Sequence, residues 1–201
     1  MAGLLEALFG DDTATVDQLQ PHTGNDRDKA EQAYTAAAGT ILQGLEQKTQ
    51  TKEGAQSIWD MLRKHVDAGN ISSEAPSPQP SGMQVRDLDP KVANDIMKSI
   101  FGKDAPDVQG GFAKVITLDP ETSKKVFEKV LPSVLGSVFG AAEAHPDESP
   151  QALPKVLSDA RQQIEQRQPN ASNIFSAILD RDHDGDVDLD DLVGLLRSKP
   201  R

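Results

Sequence analysis

Apolar positions recur along this chain with a helical period. Residues 27–48 carry Ala30, Tyr34, Ala37, Ala38, Ile41, Leu42 and Leu45. Those spacings gather the side chains on one face of a helix. Residues 52–66 repeat the pattern with Ala55, Ile58, Trp59 and Leu62, after a short polar connection at 49–51. Two helices joined so briefly predict an antiparallel hairpin.

A second set follows the same plan. Val126, Phe127, Val130, Leu131, Val134, Leu135 and Val138 form a wide apolar stripe, with Pro132 inside it. Proline removes one backbone donor, so a kink or a division of the helix is expected there. The next helix is expected over about 148–165, with Leu153, Val156, Leu157, Ala160 and Ile164 on its inner face. Ser149-Pro150 supplies a cap and a first-turn proline at its start.

The two sets can be laid on each other. Leu8-Phe9-Gly10 matches Ile100-Phe101-Gly102 at an offset of 92, and so does Val16 with Val108. At 93, Tyr34 falls on Phe127, Ile41 on Val134, Leu42 on Leu135 and Leu45 on Val138. At 95, Glu53 falls on Glu148, Ile58 on Leu153 and Leu62 on Leu157. A drift this small is what loop insertions give. We read a tandem duplication in which a short helix, a connector and two long helices are made twice. Two copies are too few for a solenoid. They form one pseudo-symmetric body or two small bundles.

Between the copies, residues 69–82 are rich in Gly, Ser and Pro, and Pro76, Pro78 and Pro80 alternate. That spacing forbids a helix and reads as a linker of polyproline II character. A proline-rich ligand for a partner is the alternative. The expected organisation is therefore a first helical repeat at 1–68, a linker at 69–90, a second repeat at 91–168 and a separate segment at 169–201. The expected fold class is all-α, a helical bundle built from a duplicated helical hairpin.

Composition sharpens this picture. Hydrophobic residues make up 36% and aromatic residues 4%. A core of Leu, Val, Ile and Ala favours packed helices over a sandwich. The net charge of −11 argues against nucleic acid and anionic lipid as partners and favours a divalent cation. The absence of cysteine excludes disulfides, zinc–thiolate sites, iron–sulfur clusters and cysteine nucleophiles. The opening residues lack a basic region and carry Glu6 within their apolar run, unlike a secretory signal. No apolar run approaches the ~18 residues that span a bilayer. A soluble, cytoplasmic protein is expected.

The chemistry concentrates near the C-terminus. Asn173, Ile174, Phe175, Ile178 and Leu179 predict a short amphipathic helix, and Leu192, Val193, Leu195 and Leu196 predict another. Between them lies Asp180-Arg181-Asp182-His183-Asp184-Gly185-Asp186-Val187-Asp188-Leu189-Asp190-Asp191. Calcium takes six to eight oxygens, and an EF-hand loop supplies them from positions 1, 3, 5, 7, 9 and 12. Asp180, Asp182 and Asp184 fill the first three. Gly185 stands at the sharp turn. Asp186 offers its backbone carbonyl, Val187 is the inward aliphatic residue, and Asp188 suits binding through water. Asp191 closes the loop where glutamate is usual. It is one methylene shorter, which weakens bidentate binding and admits competition from magnesium. In this it resembles the loops of dockerin modules. The loop carries −6 of the chain's charge. So dense a cluster repels itself unless a counterion neutralises it. A solvated acidic tail is the plain alternative, but glycine, valine and both flanking helices fall where the loop needs them. His183 sits at an outward position and is expected to be solvated. Residues 64–71 hold Asp67, Gly69, Asn70 and Ile71 in loop order without the carboxylates. They read as a relic that binds nothing. A single loop, or one paired across a homodimer, is expected.

These pieces together resemble a bacterial family known as domain of unknown function 937, which includes the YidB-like proteins. The residues that carry the resemblance are Met1 to Gly10, Ile41-Leu42-Gln43-Gly44-Leu45 and Glu53-Gly54-Ala55. With them go Ile96 to Gly102, Leu131-Pro132-Ser133-Val134-Leu135-Gly136, and Asn173-Ile174-Phe175 before the acidic loop. Such proteins often carry a Gly/Gln-rich middle, and here the middle is Pro/Ser-rich. The resemblance implies a helical fold and a bacterial source, and no activity.

A calcium-binding helical scaffold or protein-interaction module is therefore expected, with a calcium-responsive sensor as the alternative. An enzyme is not expected. His22, His65, His145 and His183 show no metal-ligand spacing, and neither a phosphate loop nor a nucleophile elbow is present.

Overall fold

A computed structural model describes residues 13–71, 87–144 and 149–167. Among them every regular element is helical. The order is α1 (Thr13–Leu19), a 3-10 turn (Gln20–His22), α2 (Arg27–Lys48) and α3 (Lys52–Asp67). After the undescribed stretch come α4 (Pro90–Phe101), a second 3-10 turn (Gly102–Asp104), α5 (Ala105–Val115), α6 (Pro120–Glu143) and α7 (Ser149–Arg167).

Side-chain caps mark the starts. The Asp26 carboxylate accepts from the Lys29 amide, Thr51 Oγ1 from the Gly54 amide, and Asp89 from the Lys91 amide. Asp119 accepts from the amides of Glu121 and Thr122 and from the Thr122 hydroxyl. Each satisfies backbone donors that the first turn leaves without partners. The stretches between the short and long elements, expected as plain connectors, are partly helical: α1 and α5 occupy them.

The long helices α2 and α6 pack against each other at the centre, and α7 lies on α2, α3 and α6. One apolar cluster takes residues from both sides of the undescribed stretch 72–86, from Leu19, Ile41 and Leu62 to Phe112, Leu131 and Leu157. The two halves share a core. The Trp59 ring stacks on Phe139 at 5.0 Å across them, and Arg161 Nε pairs with Glu46 Oε2 at 2.9 Å. Burying one such leucine contributes about 1.5–3 kcal/mol.

Two expectations about the long helices need correction. The apolar stripe predicted for α2 covers only part of its buried surface, because every residue from 33 to 42 is buried. Thr35-Ala36-Ala37-Ala38-Gly39-Thr40 is small on every side, so neighbours close in all round. Thr40 loses its hydroxyl penalty by donating to the Ala36 carbonyl at 2.7 Å. Of the kink or division expected at Pro132, division does not occur: α6 runs unbroken from Pro120 to Glu143.

Candidate metal centre and its surroundings

The predicted ligands Asp180, Asp182, Asp184, Asp186, Asp188 and Asp191 lie outside the described residues, as do both flanking helices and His183. Their chemistry rests on donor type and spacing. Among the described residues, no three His, Asp or Glu side chains come together as metal ligands.

The stretch at 64–71, read as a faded loop, has a geometry of its own. The Gly69 amide donates to the Val66 carbonyl at 2.9 Å, and the Asn70 amide to the His65 carbonyl at 2.9 Å. Gly69 holds φ +69°, and Ile71 is buried beyond it. This is a Schellman stop for α3, with glycine in the left-handed position and an apolar residue closing the end. The Gly-Asn-Ile order is what such a stop requires. The Asn70 side chain also meets His65 Nδ1 at 3.2 Å. An amide donor there makes Nδ1 the acceptor and places the ring proton on Nε2. Burial, then Lys64, lowers the His65 pKa, against an upward pull from Asp95.

A cluster that the sequence did not announce surrounds Pro132. Proline has no N–H, so the Glu128 carbonyl loses its donor within the helix. The Leu88 amide supplies one instead, at 3.4 Å. Leu88 itself is buried in the core. Beside it, Lys129 Nζ reaches both oxygens of Asp87 at 2.9 Å. His22 stands near this pair. Its pKa is lowered by burial, then by Lys129 and Lys125, while Asp87 acts against them. Burial raises the Glu128 carboxyl pKa, and Asp87 adds to the rise. The proline in the apolar stripe was the only sequence signal for this junction.

Two glycines quoted for the family resemblance sit at close approaches. A methyl group at Gly44 would overlap the Phe101 ring and Ile100, so α4 rests directly on the α2 backbone there. A methyl at Gly54 would overlap the Lys48 carbonyl, because the turn at 49–51 folds α3 tightly back on α2. The segments Ile41 to Leu45 and Ile96 to Gly102 are thus two sides of one contact. On the outer face of α3, Lys52, Glu53, Gln56, Ser57 and Asp60 line an open depression. All five belong to one helix, and among the described residues no second element lines the depression.

The family model described as bacterial protein of unknown function (DUF937) matches residues 4–141 and, in a second alignment, residues 131–200. The chain belongs to this family. Neither the curated proteins nor the solved structures provide a match. The DUF937 alignments span the motifs quoted above from Leu4 onward, and the second contains the whole acidic stretch 180–191. No described helix is long and apolar enough to cross a membrane.

Proposed function

We propose that this DUF937 chain is a calcium-binding helical scaffold whose ion sits in the loop 180–191. One observation carries the reading: aspartate at every side-chain donor position of a twelve-residue loop, with Gly185 at its turn and Val187 at its inward position. Support comes from the family match, since the loop lies within the stretch 131–200 and is no appendage to it. The ion would tie the predicted helices at 173–179 and 192–196 into a pair. Binding would stabilise the folded chain by about 2.7 kcal/mol at a hundredfold excess of free calcium over Kd.

We further read the body of the scaffold as a duplicated unit, in which α1, α2 and α3 correspond to α5, α6 and α7. Every aligned pair within the described residues is buried on both sides, from Val16 and Val108 to Leu62 and Leu157. Asn25 and Thr117, 92 apart, both hold positive φ, at 58° and 56°. Asp26 and Asp119, 93 apart, both cap the long helix that follows. Residues 131–141 belong to both family alignments, as a pattern with an internal repeat allows. The narrower kinship with YidB-like proteins rests on the quoted motifs alone.

Calorimetric titration of the metal-free chain with calcium, with magnesium as competitor, tests the metal site. One ion per chain is expected, lost in the Asp180→Ala, Asp184→Ala double variant. Half an ion per chain would indicate a site shared between two copies. No heat at millimolar calcium, with no rise in Tm, would end the proposal.

A further inference from the structure

The contact that seats α4 on the first hairpin has an unclaimed counterpart on the second. α4 packs on both α2 and α3, the pair that precedes it in the chain. It buries Ala93, Ile96, Met97 and Ile100, and its last residue, Phe101, sets its ring directly over Gly44. In the proposed duplication Gly44 falls on Ser137 of α6, 93 residues on. Ser137 is only 2% exposed, as a covered position would be, yet its hydroxyl has no hydrogen-bond partner among the described residues. A buried hydroxyl seldom goes unpaired. One turn further along α6, the small Gly140 and Ala141 are half-buried.

We propose that residues 171–179 fold back on α6 and cover Ser137, seating themselves on the second hairpin as α4 does on the first. Laid on α4 at an offset of 78, they carry Ala171, Ile174, Phe175 and Ile178 at the places of its four buried residues, and three of the four are identical. Leu179 then takes the place of Phe101. The exchange is complementary in size: the side chain gained at Ser137 is matched by the ring lost at Leu179. Residues 4–9 repeat the same pattern at an offset of 92 from α4, but they end in Phe9, whose ring would collide with the Ser137 side chain as the Phe101 ring would with a methyl at Gly44. Chain order and reach agree. The second family alignment joins the latter half of α6, α7 and these residues in one run. α7 ends at Arg167, and the four steps to Ala171 span up to about 13 Å, enough to reverse direction beside it. The last carbonyls of a helix have no partner within it, so the end at Leu179 brings acceptors to the Ser137 hydroxyl. The docking depends on 171–179 and not on the carboxylates after them, so it stands apart from the metal reading.

The test is nuclear Overhauser spectroscopy on the full chain in millimolar calcium, with labelled and unlabelled protein mixed so that contacts within a chain are separated from those between chains. The Leu179 methyl protons should lie against the Ser137 β-protons and the Ala141 methyl of the same chain. Contacts from the Phe9 ring in their place would assign the site to residues 4–9, and contacts only between chains would assign it to a second copy. No contact at Leu179 would leave 171–179 undocked. Each of these outcomes overturns the proposal. A second measurement uses variants. Leu179→Phe and Ser137→Gly should each lower Tm, the first by overlap and the second by an unfilled space. Together they reproduce the pairing of Phe101 with Gly44, so the double variant should regain part of the summed loss. Strict additivity also overturns the proposal.

Discussion

Helices α2 and α6 lie against each other, and in the proposed duplication they hold corresponding places, yet they become buried by different means. At its middle α2 is an Ala, Gly and Thr segment, thin enough for neighbours to approach on every side. Its partner reaches burial with Val130, Leu131, Val134, Leu135, Val138 and Phe139, whose bulk fills the space around them. Where α2 meets α4 it presents bare backbone at Gly44. Where α6 meets the lead-in to α4 it presents a carbonyl freed by Pro132. One frame thus accepts α4 through a missing side chain on one long helix and anchors the residues before it through a missing amide on the other.

The sharpest asymmetry lies in the hairpin turns, and it predicts the largest effect. The α2–α3 turn occupies 49–51, while the α6–α7 connection occupies 144–148, and Ser149 stands at the position matching Gly54. The shorter turn forces the close approach to the Lys48 carbonyl, and backbone cannot move aside as a side chain can. Gly54→Ala should lower stability by about 3 kcal/mol. Denaturant unfolding at constant slope measures this. A loss under half that size would mean that the turn relaxes freely, and the contrast between the hairpins would dissolve.

This contrast was only half legible beforehand. The bounds of α2 and α3 follow from apolar spacing and polar connections, because a helix that buries one face must repeat its apolar residues in register. Burial of α2 on all sides did not follow, because alanine and threonine are as common on helix surfaces as inside. Pro132 was visible as a break in hydrogen bonding. Its actual consequence, a partner for the Glu128 carbonyl 40 residues away at Leu88, requires a tertiary contact that no local pattern encodes. The Gly69-Asn70-Ile71 run shows the converse hazard. A helix stop and a metal loop both need a left-handed glycine followed by an apolar residue, and only the carboxylates separate them. The stretch 180–191 has those carboxylates, and the proposed metal site rests on them and their spacing alone.

The Gly44 contact should come next in size. The obstacle there is the Phe101 ring and Ile100, which can shift, so Gly44→Ala should cost about 1–3 kcal/mol. Adding Phe101→Leu should recover part of the loss, since it shortens the group that the methyl strikes. A double-mutant cycle with no coupling between the two positions would remove α4 from this contact.

Smaller still is the difference between the two capping aspartates. Asp119 accepts three hydrogen bonds where Asp26 accepts one from Lys29. The Thr122 hydroxyl and amide hold the Asp119 pKa below its usual value. A depressed carboxylate pKa stabilises above the unfolded value and loses that contribution as pH falls through the folded one. Asp119→Ala should therefore lower Tm more than Asp26→Ala at pH 7. The gap between them should close on acidification below the ordinary aspartate range. A gap that persists there would detach the difference from ionisation.

The smallest effect should carry the opposite sign. Asn25 and Thr117 hold nearly the same left-handed conformation, but asparagine tolerates it and a β-branched threonine does not. Thr117 is exposed, and its place is fixed by main-chain groups: its amide donates to the Lys114 carbonyl, and its own carbonyl accepts from Lys29 Nζ at 3.2 Å. The strain should therefore be relieved without loss of a contact when the side chain is removed. Thr117→Gly should raise stability by about 0.5–1 kcal/mol, after allowing for the extra freedom of glycine in the unfolded chain. Asn25→Gly should leave it within about 0.5 kcal/mol, because there is less strain to remove. Paired unfolding curves for the two variants measure the difference directly. If both respond alike, the strain at Thr117 is no greater than at Asn25, and the turns before the two long helices are energetically as well as geometrically equivalent.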